Sequence, residues 1–192
     1  MISKIKIRKL RNNPSQGFTL LELLVVISIV GIFSTYGIFS LRRNVAQGHV
    51  DRYTQFVETG LFSLQARIRR FKSSCTLDLD QDLSTNTWGP PWKLLESQQP
   101  DGSQSNSIGC DHRLLNLEGT RESKQVEVST RQDEYELNPA GSATSGKNLT
   151  ILIRSINSAK EPQLRTRCVE LSGSGHIHSG TWNQDADFCD SS

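Results

Sequence analysis

One stretch of this sequence decides the fold: Gln16-Gly17-Phe18-Thr19-Leu20-Leu21-Glu22 and the apolar run after it, which ends at Leu41. A helix rises about 1.5 Å per residue, so the run from Phe18 to Leu41 is long enough to cross a bilayer. Glu22 lies near its start. An ionisable side chain inside an apolar span costs about 3 kcal/mol or more unless it has a partner. Glu22 is therefore a candidate functional residue.

The segment before this stretch is basic. Residues 1–17 carry five Lys and Arg and no acidic residue, so they are expected to stay in the cytoplasm while the chain after Leu41 lies outside it. A secretory signal would have a small-residue cleavage site after the apolar run, and no Ala-x-Ala pattern follows Leu41. A plain signal anchor stays open as an alternative; it would remain uncut and has no need of Gly17 or Glu22.

The basic leader, Gly17, Phe18 and Glu22 resemble, in this order and spacing, the processing site of the type IV pilin superfamily. The resemblance implies that prepilin peptidase cuts between Gly17 and Phe18, and that the new terminus at Phe18 is N-methylated. It also implies that the Glu22 carboxylate neutralises that new amine, on the same or a neighbouring subunit, during filament assembly. The implied partners are other pilins or pseudopilins, prepilin peptidase and the inner-membrane assembly platform.

Charge and length limit what the rest of the chain can do. Without residues 1–17, 17 Lys and Arg face 20 Asp and Glu, and the net charge changes from +2 to −3. A mature chain with this balance is not a bulk polyanion binder, and any nucleic-acid contact needs a local patch. A chain of 192 residues has room for one modest domain after the apolar run.

The apolar pattern predicts an α+β protein. Apolar residues recur at helical spacing as far as Phe71, which predicts one helix from about Phe18 to Phe71. In the pilin fold that the resemblance implies, 18–41 is the transmembrane and assembly helix, 42–72 is the amphipathic helix of the head, and 73–192 is the globular head.

Within the head, residues 73–124 predict an irregular loop, and residues 125–192 predict a small antiparallel sheet. The irregular loop is also the expected site of specific contacts, because exposed loops carry variation on a rigid scaffold. Period-two patterns predict five strands: 125–130, 134–138, 149–156, 165–172 and 176–179. The last two strands are predicted to form a hairpin around Gly173-Ser174-Gly175.

Segment 125–182 resembles, more locally, the GspH/FimT-type minor pseudopilin domain, on the run 135–141, the strand 149–156 and the hairpin 168–180. FimT-like members are associated with DNA uptake through basic residues after the hairpin glycine. His176 and His178 occupy those places here, and imidazoles are mostly neutral at pH 7. A small basic patch could also form from four further residues: Arg154, Lys160, Arg165 and Arg167. The alternative is that these four are simply solvated charges at strand ends.

All four cysteines follow the apolar run: Cys75, Cys110, Cys168 and Cys189. An even number outside the cytoplasm predicts two disulfides. Sequence alone permits three connectivities, and we favour Cys75–Cys110 and Cys168–Cys189 because each pair closes a local loop.

Other motifs are weaker. Asp78-x-Asp80-x-Asp82 and Asn183-x-Asp185-x-Asp187 lack the Gly and distal Glu of an EF-hand loop, and Asn148-Leu149-Thr150 matches a glycosylation sequon. There is no Cys-x-x-Cys, phosphate loop or nucleophile–base pattern, so we expect no metal, no cofactor and no enzyme. The sequence predicts a minor pilin or pseudopilin of a type IV pilus or type II secretion pseudopilus. A DNA-binding minor pilin and a membrane-anchored extracytoplasmic binding or adhesion domain are the alternatives.

Overall fold

A computed structural model describes residues 19–83, 87–95, 115 and 120–190. Within these residues, one long helix precedes seven strands: α1 (Leu20–Phe71), β1 (Cys75–Asp78), β2 (Val126–Thr130), β3 (Glu134–Leu137), β4 (Leu149–Ser155), β5 (Arg167–Leu171), β6 (Ile177–Asn183) and β7 (Phe188–Asp190). Two short 3₁₀ helices lie at Gln81–Leu83 and Pro91–Lys93. The predicted α+β class is confirmed, and the long helix with its antiparallel sheets is consistent with the pilin fold.

The strands form two antiparallel sheets. The larger has five strands in the order β2-β4-β5-β6-β7, and the smaller pairs β1 with β3. In the larger sheet, Arg167 of β5 lies between Ile153 of β4 and Thr181 of β6. The predicted hairpin around residues 173–175 joins β5 to β6 and is confirmed.

The core of the head lies against one stripe of α1. The chain divides into two compact units between Leu41 and Arg42, and the core belongs to the second. Fully buried residues of α1 follow each other at intervals of three or four, which places them on one side of a helix: Val50, Tyr53, Val57, Leu61, Leu64 and Ile68. They form one apolar cluster with side chains of both sheets, among them Leu77, Val128, Leu137, Ile151, Ile153 and Val169. Burying each aliphatic side chain contributes about 1.5–3 kcal/mol.

The C-terminal end of α1 has a defined cap. Lys72 has a positive φ of 50°, and the Ser73 N–H donates to the carbonyl of Ile68 at 3.4 Å. This six-to-one bond beside a left-handed residue is the pattern of a Schellman motif. The prediction that the helix ends at Phe71 is therefore confirmed.

The sequence-based description of residues 73–124 as an irregular loop is wrong at its start. Residues 75–78 form β1, which pairs with β3 in the register Cys75↔Leu137. The alternating pattern of a strand is present in the sequence here, since apolar residues recur at Cys75, Leu77 and Leu79. These three residues are buried, whereas Asp78 is exposed. The predicted single sheet is accordingly two sheets. The three-residue strand β7 was also missed.

The two edges of the larger sheet differ. At the β2 edge, Gly89 exchanges two backbone hydrogen bonds with Val128, at 3.0 and 2.8 Å, so part of that edge is paired. The other edge is β7, which is three residues long and ends at the exposed Asp190. Short, charged or covered edges resist pairing with a further strand.

Two tyrosines are buried in the core. Burial raises the pKa of Tyr53 on α1 and raises the pKa of Tyr135 on β3 to about 12, because a phenolate would lose its hydration. The Tyr135 hydroxyl lies 3.4 Å from the carbonyl oxygens of Leu171 and Ser172. Both phenols therefore stay protonated at neutral pH and serve the core.

Gln65 joins α1 to two glycine turns. Its side chain is 4% exposed, and its Nε2 donates to the carbonyls of Gly141 at 2.6 Å and Gly175 at 2.8 Å. Both glycines have positive φ, 79° and 86°, which favours glycine. A Cβ on Gly175 would lie 2.6 Å from the Gly141 carbonyl oxygen, so the two turns touch directly.

We expect Gln65→Leu to destabilise the head by about 2–3 kcal/mol, because it leaves two carbonyl oxygens without their donor. The measurement is chemical denaturation of the detergent-solubilised protein. Gln55→Leu, at an exposed position of the same helix, is the matched control and should change stability by about 0.5 kcal/mol or less. Equal effects of the two substitutions would contradict the role given to Gln65.

Candidate functional site

The Thr19 side chain caps the start of α1. The Glu22 N–H donates to Thr19 Oγ1 at 3.2 Å, and the Leu23 N–H donates to the Thr19 carbonyl at 3.2 Å. Thr19 thus acts as N-cap, with Glu22 three residues later as in a capping box. A carboxylate in the first turn is also favoured by the helix dipole. Gly17 and Phe18 lie outside the described residues, so the cleavage bond and the methylated terminus stay predictions.

The first half of α1 exposes its apolar side chains. Among the described residues, α1 is the one helix long and apolar enough to cross a membrane, and its most apolar 18-residue stretch is 0% buried within the chain. Leu20, Phe33 and Phe39 are 77%, 72% and 70% exposed. Apolar surfaces of this extent are typical of segments covered by lipid or by another protein.

Glu22 is the acidic residue in the first turn of this apolar segment, and its side chain is exposed. None of the ion pairs between described residues involves Glu22. Its neighbours in the chain are Leu20, Leu21, Leu23 and Leu24, each more than half exposed. A carboxylate in such surroundings gains most from a cation supplied at the same depth, because a paired charge is cheaper to desolvate than a lone one.

The predicted DNA contacts Arg165 and Arg167 lie beside α1. The Arg167 guanidinium donates from Nε to Asp51 Oδ1 at 2.7 Å and from Nη1 to Thr181 Oγ1 at 2.8 Å. The backbone N–H of Arg165 donates to Gln47 Oε1 at 2.9 Å, while the Arg165 side chain is exposed. Two residues earlier, Gln163 accepts hydrogen bonds from Arg43.

These contacts form a polar ladder between Arg43, Gln47 and Asp51 of α1 and Gln163, Arg165 and Arg167. Two of its rungs match because four residues of helix, from Gln47 to Asp51, advance by about 6 Å, and two residues of extended chain, from Arg165 to Arg167, advance by about 6.6 Å. The ladder fixes the connection between β4 and β5 along α1. The ladder also gives Arg167 a structural role, because the Asp51 carboxylate neutralises the charge of its guanidinium group.

The remaining candidates for DNA contact lie elsewhere. His178 Nε2 lies 4.0 Å from Glu170 Oε2, and the rings of His176 and His178 are 6.4 Å apart between centroids. Side chains alternate along a strand, so Glu170 of β5 points to the opposite face from Arg167. Its cross-strand partner His178 shares that opposite face. The structure therefore does not bring His178 together with Arg167.

Arg154 is also neutralised. Its Nη2 lies 2.9 Å from Glu127 Oε2, and its guanidinium carbon lies 4.1 Å from the centroid of the Trp88 ring. A second contact of an arginine with a tryptophan ring lies on the same sheet face, where the guanidinium carbon of Arg131 is 4.9 Å from the centroid of the Trp182 ring. This layer of paired arginine and tryptophan side chains was not predicted from the sequence. The available signal was the aromatic residue Trp88, two residues before Pro90.

The structure contains the predicted Cys168–Cys189 disulfide, which joins β5 to β7 across β6. It packs with Leu152, Trp88 and Trp182 on the sheet face opposite α1. Cys75 is disulfide-bonded. Cys110 lies outside the described residues, so the Cys75–Cys110 pairing stays a prediction.

The acidic runs serve turns. Asp80 Oδ1 accepts from the Asp82 N–H at 2.9 Å, and Asn183 Oδ1 accepts from the Asp185 N–H at 3.1 Å. The Asp187 carboxylate is held by Arg131, with one bond of 2.7 Å. In the part of the chain that the structure describes, no group of three or more His, Cys, Asp and Glu could hold a metal ion.

The sequon asparagine is engaged in the fold. Asn148 Nδ2 donates to Glu170 Oε1 at 2.7 Å, and its Oδ1 accepts from the Gly173 N–H at 2.9 Å. Thr150, the sequon threonine, is 7% exposed. Asn148 thus supports the turn of the β5–β6 hairpin.

Comparison with known proteins gives one match. The family model of the prokaryotic N-terminal methylation motif matches residues 12–36, which include the leader end, Gly17, Phe18, Glu22 and the first half of the apolar run. No curated protein and no solved structure matches the chain. These comparisons leave the GspH/FimT-type resemblance of the head a prediction.

We expect the Asp51–Arg167 rung to contribute about 1 kcal/mol of coupling, since both side chains are partly exposed, 37% and 24%. A double-mutant cycle with Asp51→Asn and Arg167→Gln, measured by chemical denaturation, tests this. The control cycle uses Arg52 and Glu122, which are 3.7 Å apart with Arg52 70% exposed; its coupling should be close to zero. Equal coupling in the two cycles would count against the ladder.

Removing the disulfide with Cys168→Ala and Cys189→Ala should destabilise the head by about 3 kcal/mol, because the bond closes a loop over a separation of 21 residues. The unfolding midpoint in denaturant measures the loss. Reductant added to the double variant should lower the midpoint further, through the Cys75 disulfide. Peptide mapping without reduction identifies the partner of Cys75, and a peptide linking Cys75 to Cys168 would refute both pairings.

Proposed function

We propose that this chain is a type IV pilin-like protein, and specifically a minor pilin or pseudopilin, a structural subunit of a type IV pilus or a type II secretion pseudopilus. The observation that carries the proposal is the methylation motif over residues 12–36, with Glu22 in the first turn of an exposed apolar helix. The pilin-type motif points to a structural protein. The antiparallel sheets on the second half of α1 would form the head that the filament presents.

The proposed life of the protein has two stages. It is first a membrane-anchored precursor, with residues 1–17 in the cytoplasm and the head on the other side of the inner membrane. Prepilin peptidase then cuts between Gly17 and Phe18 and methylates the new amine. The mature helix passes from lipid into a bundle of pilin helices on the assembly platform, and its exposed apolar side chains stay covered in both places.

Glu22 guides this transfer. A cationic amine at Phe18 and the Glu22 carboxylate are four residues apart in the mature chain, so they can pair within a subunit or between neighbours. In apolar surroundings the pairing compensates for the desolvation of both charges. A subunit whose amine and carboxylate find each other is therefore favoured at the growing end.

We expect Glu22→Ala and Glu22→Gln to leave cleavage and membrane insertion intact and to reduce filament incorporation by about tenfold or more, since several kcal/mol of charge pairing are lost. Glu22→Gln keeps the size of the side chain and so isolates its charge. The measurement is quantitative immunoblotting of sheared filaments against the membrane fraction, with intact mass to score cleavage. Glu161→Gln, in an exposed head connection, is the matched control.

Normal incorporation of Glu22→Gln would refute the role of the carboxylate. An intact mass that still includes residues 1–17, in cells with active prepilin peptidase, would refute the proposed function as a whole and favour an uncleaved membrane anchor.

A further inference from the structure

Exposed cations collect at the end of the head that follows the apolar run. Arg42 and Arg43 come directly after Leu41 in α1, and Lys160 and Arg165 lie in the connection between β4 and β5. The polar ladder brings this connection to α1, because Gln163 accepts from Arg43 and the Arg165 backbone bonds Gln47. We call these four residues the cationic end of the head.

The charges of the cationic end are not neutralised. Among the described residues, none of its four side chains lies within ion-pair distance of a carboxylate, whereas Arg131, Arg154 and Arg167 each have one. Within the connection itself, residues 156–166 contain Glu161 as the one acidic residue against Lys160 and Arg165. A surface that keeps a positive excess in a mature chain of net negative charge is suited to an anionic partner.

The position of the cationic end in the chain selects that partner. Arg42 and Arg43 lie one and two residues after Leu41, which is about 1.5–3 Å further along the helix. Where the apolar run spans a bilayer, this is the depth at which the lipid phosphates begin. Juxtamembrane Lys and Arg bind anionic phospholipids, and guanidinium groups bind phosphate oxygens bidentately. Ile156, at the start of the same connection, is 44% exposed and adds an apolar contact.

We propose that the cationic end of the head docks on anionic phospholipid headgroups while the subunit waits in the membrane. The proposal rests on the proposed function, because it places Leu41 at the outer surface of the bilayer. Docking would hold the head at a defined height and orientation on the membrane, with the connection between β4 and β5 facing the lipid. Incorporation into a filament would then require release of these contacts.

The test uses the full chain in nanodiscs of phosphatidylcholine alone or with one-third phosphatidylglycerol. Hydrogen–deuterium exchange of residues 156–166 should slow by about fivefold or more in the anionic discs, because opening this connection would require breaking its contacts with lipid phosphates. Half-molar salt should reverse the effect. The double variant Lys160→Gln/Arg165→Gln should abolish it while the ladder is kept, since Arg165 enters the ladder through its backbone.

The matched control is Arg70→Gln/Lys72→Gln, which removes two exposed cations at the C-terminal end of α1 and should leave the slowing unchanged. Equal exchange in the two kinds of disc, or equal loss in both double variants, would overturn the proposal. If short duplex DNA slows exchange in phosphatidylcholine discs as much as phosphatidylglycerol does, the surface belongs to nucleic acid and the proposal is also overturned. Cleavage of residues 1–17 is scored separately by mass, so failure here is distinct from failure of the proposed function.

Discussion

The head depends on burying one stripe of α1, from Val50 to Ile68, against the sheets. The same helix has a second requirement, because most of its described side chains from Leu20 to Leu41 are apolar and remain exposed within the chain. A helix that is apolar all round needs an apolar environment, whereas a helix with one apolar stripe needs a partner on one side only. The pattern therefore changes along α1, from a segment that needs apolar surroundings to a wall of the head.

Between these two patterns, polar contacts replace apolar burial. Arg43 and Gln47 precede Val50, the first fully buried residue of α1, and Asp51 follows it directly. The polar ladder extends the attachment of the head to this part of the helix. It holds the connection between β4 and β5, which has few apolar side chains apart from the buried Leu164. Among the described residues, the side chains of Arg42, Lys160 and Arg165 beside the ladder have no carboxylate within ion-pair distance.

The sequence predicted what local patterns control. The end of α1 follows from apolar spacing, and the β5–β6 hairpin follows from alternation around Gly173-Ser174-Gly175. Strand β1 had the same kind of signal in Cys75, Leu77 and Leu79, but the run that begins at Asp78 was considered as an acidic motif instead. Asp78 points outward because Leu77 and Leu79 point inward.

Contacts between distant parts of the chain could not be predicted in this way. Arg167 meets Asp51 across 116 residues, and Gln65 meets Gly175 across 110. Such pairs depend on the register of a helix against a sheet, which no local pattern encodes. Arg167 was therefore considered as a candidate DNA contact or a solvated charge at a strand end, although a single carboxylate on α1 neutralises it. The charge of a residue can be read from the sequence, whereas its availability depends on tertiary contacts.

The edges of the five-stranded sheet affect whether the heads of neighbouring molecules can pair their strands. An open strand edge can pair with the sheet of a neighbouring molecule. Here the β2 edge is occupied in part by the backbone of Gly89, and the β7 edge offers only three residues ending at Asp190. In the filament that we propose, fusion of neighbouring heads would thereby be discouraged, and contact between protomers would be left to the helices.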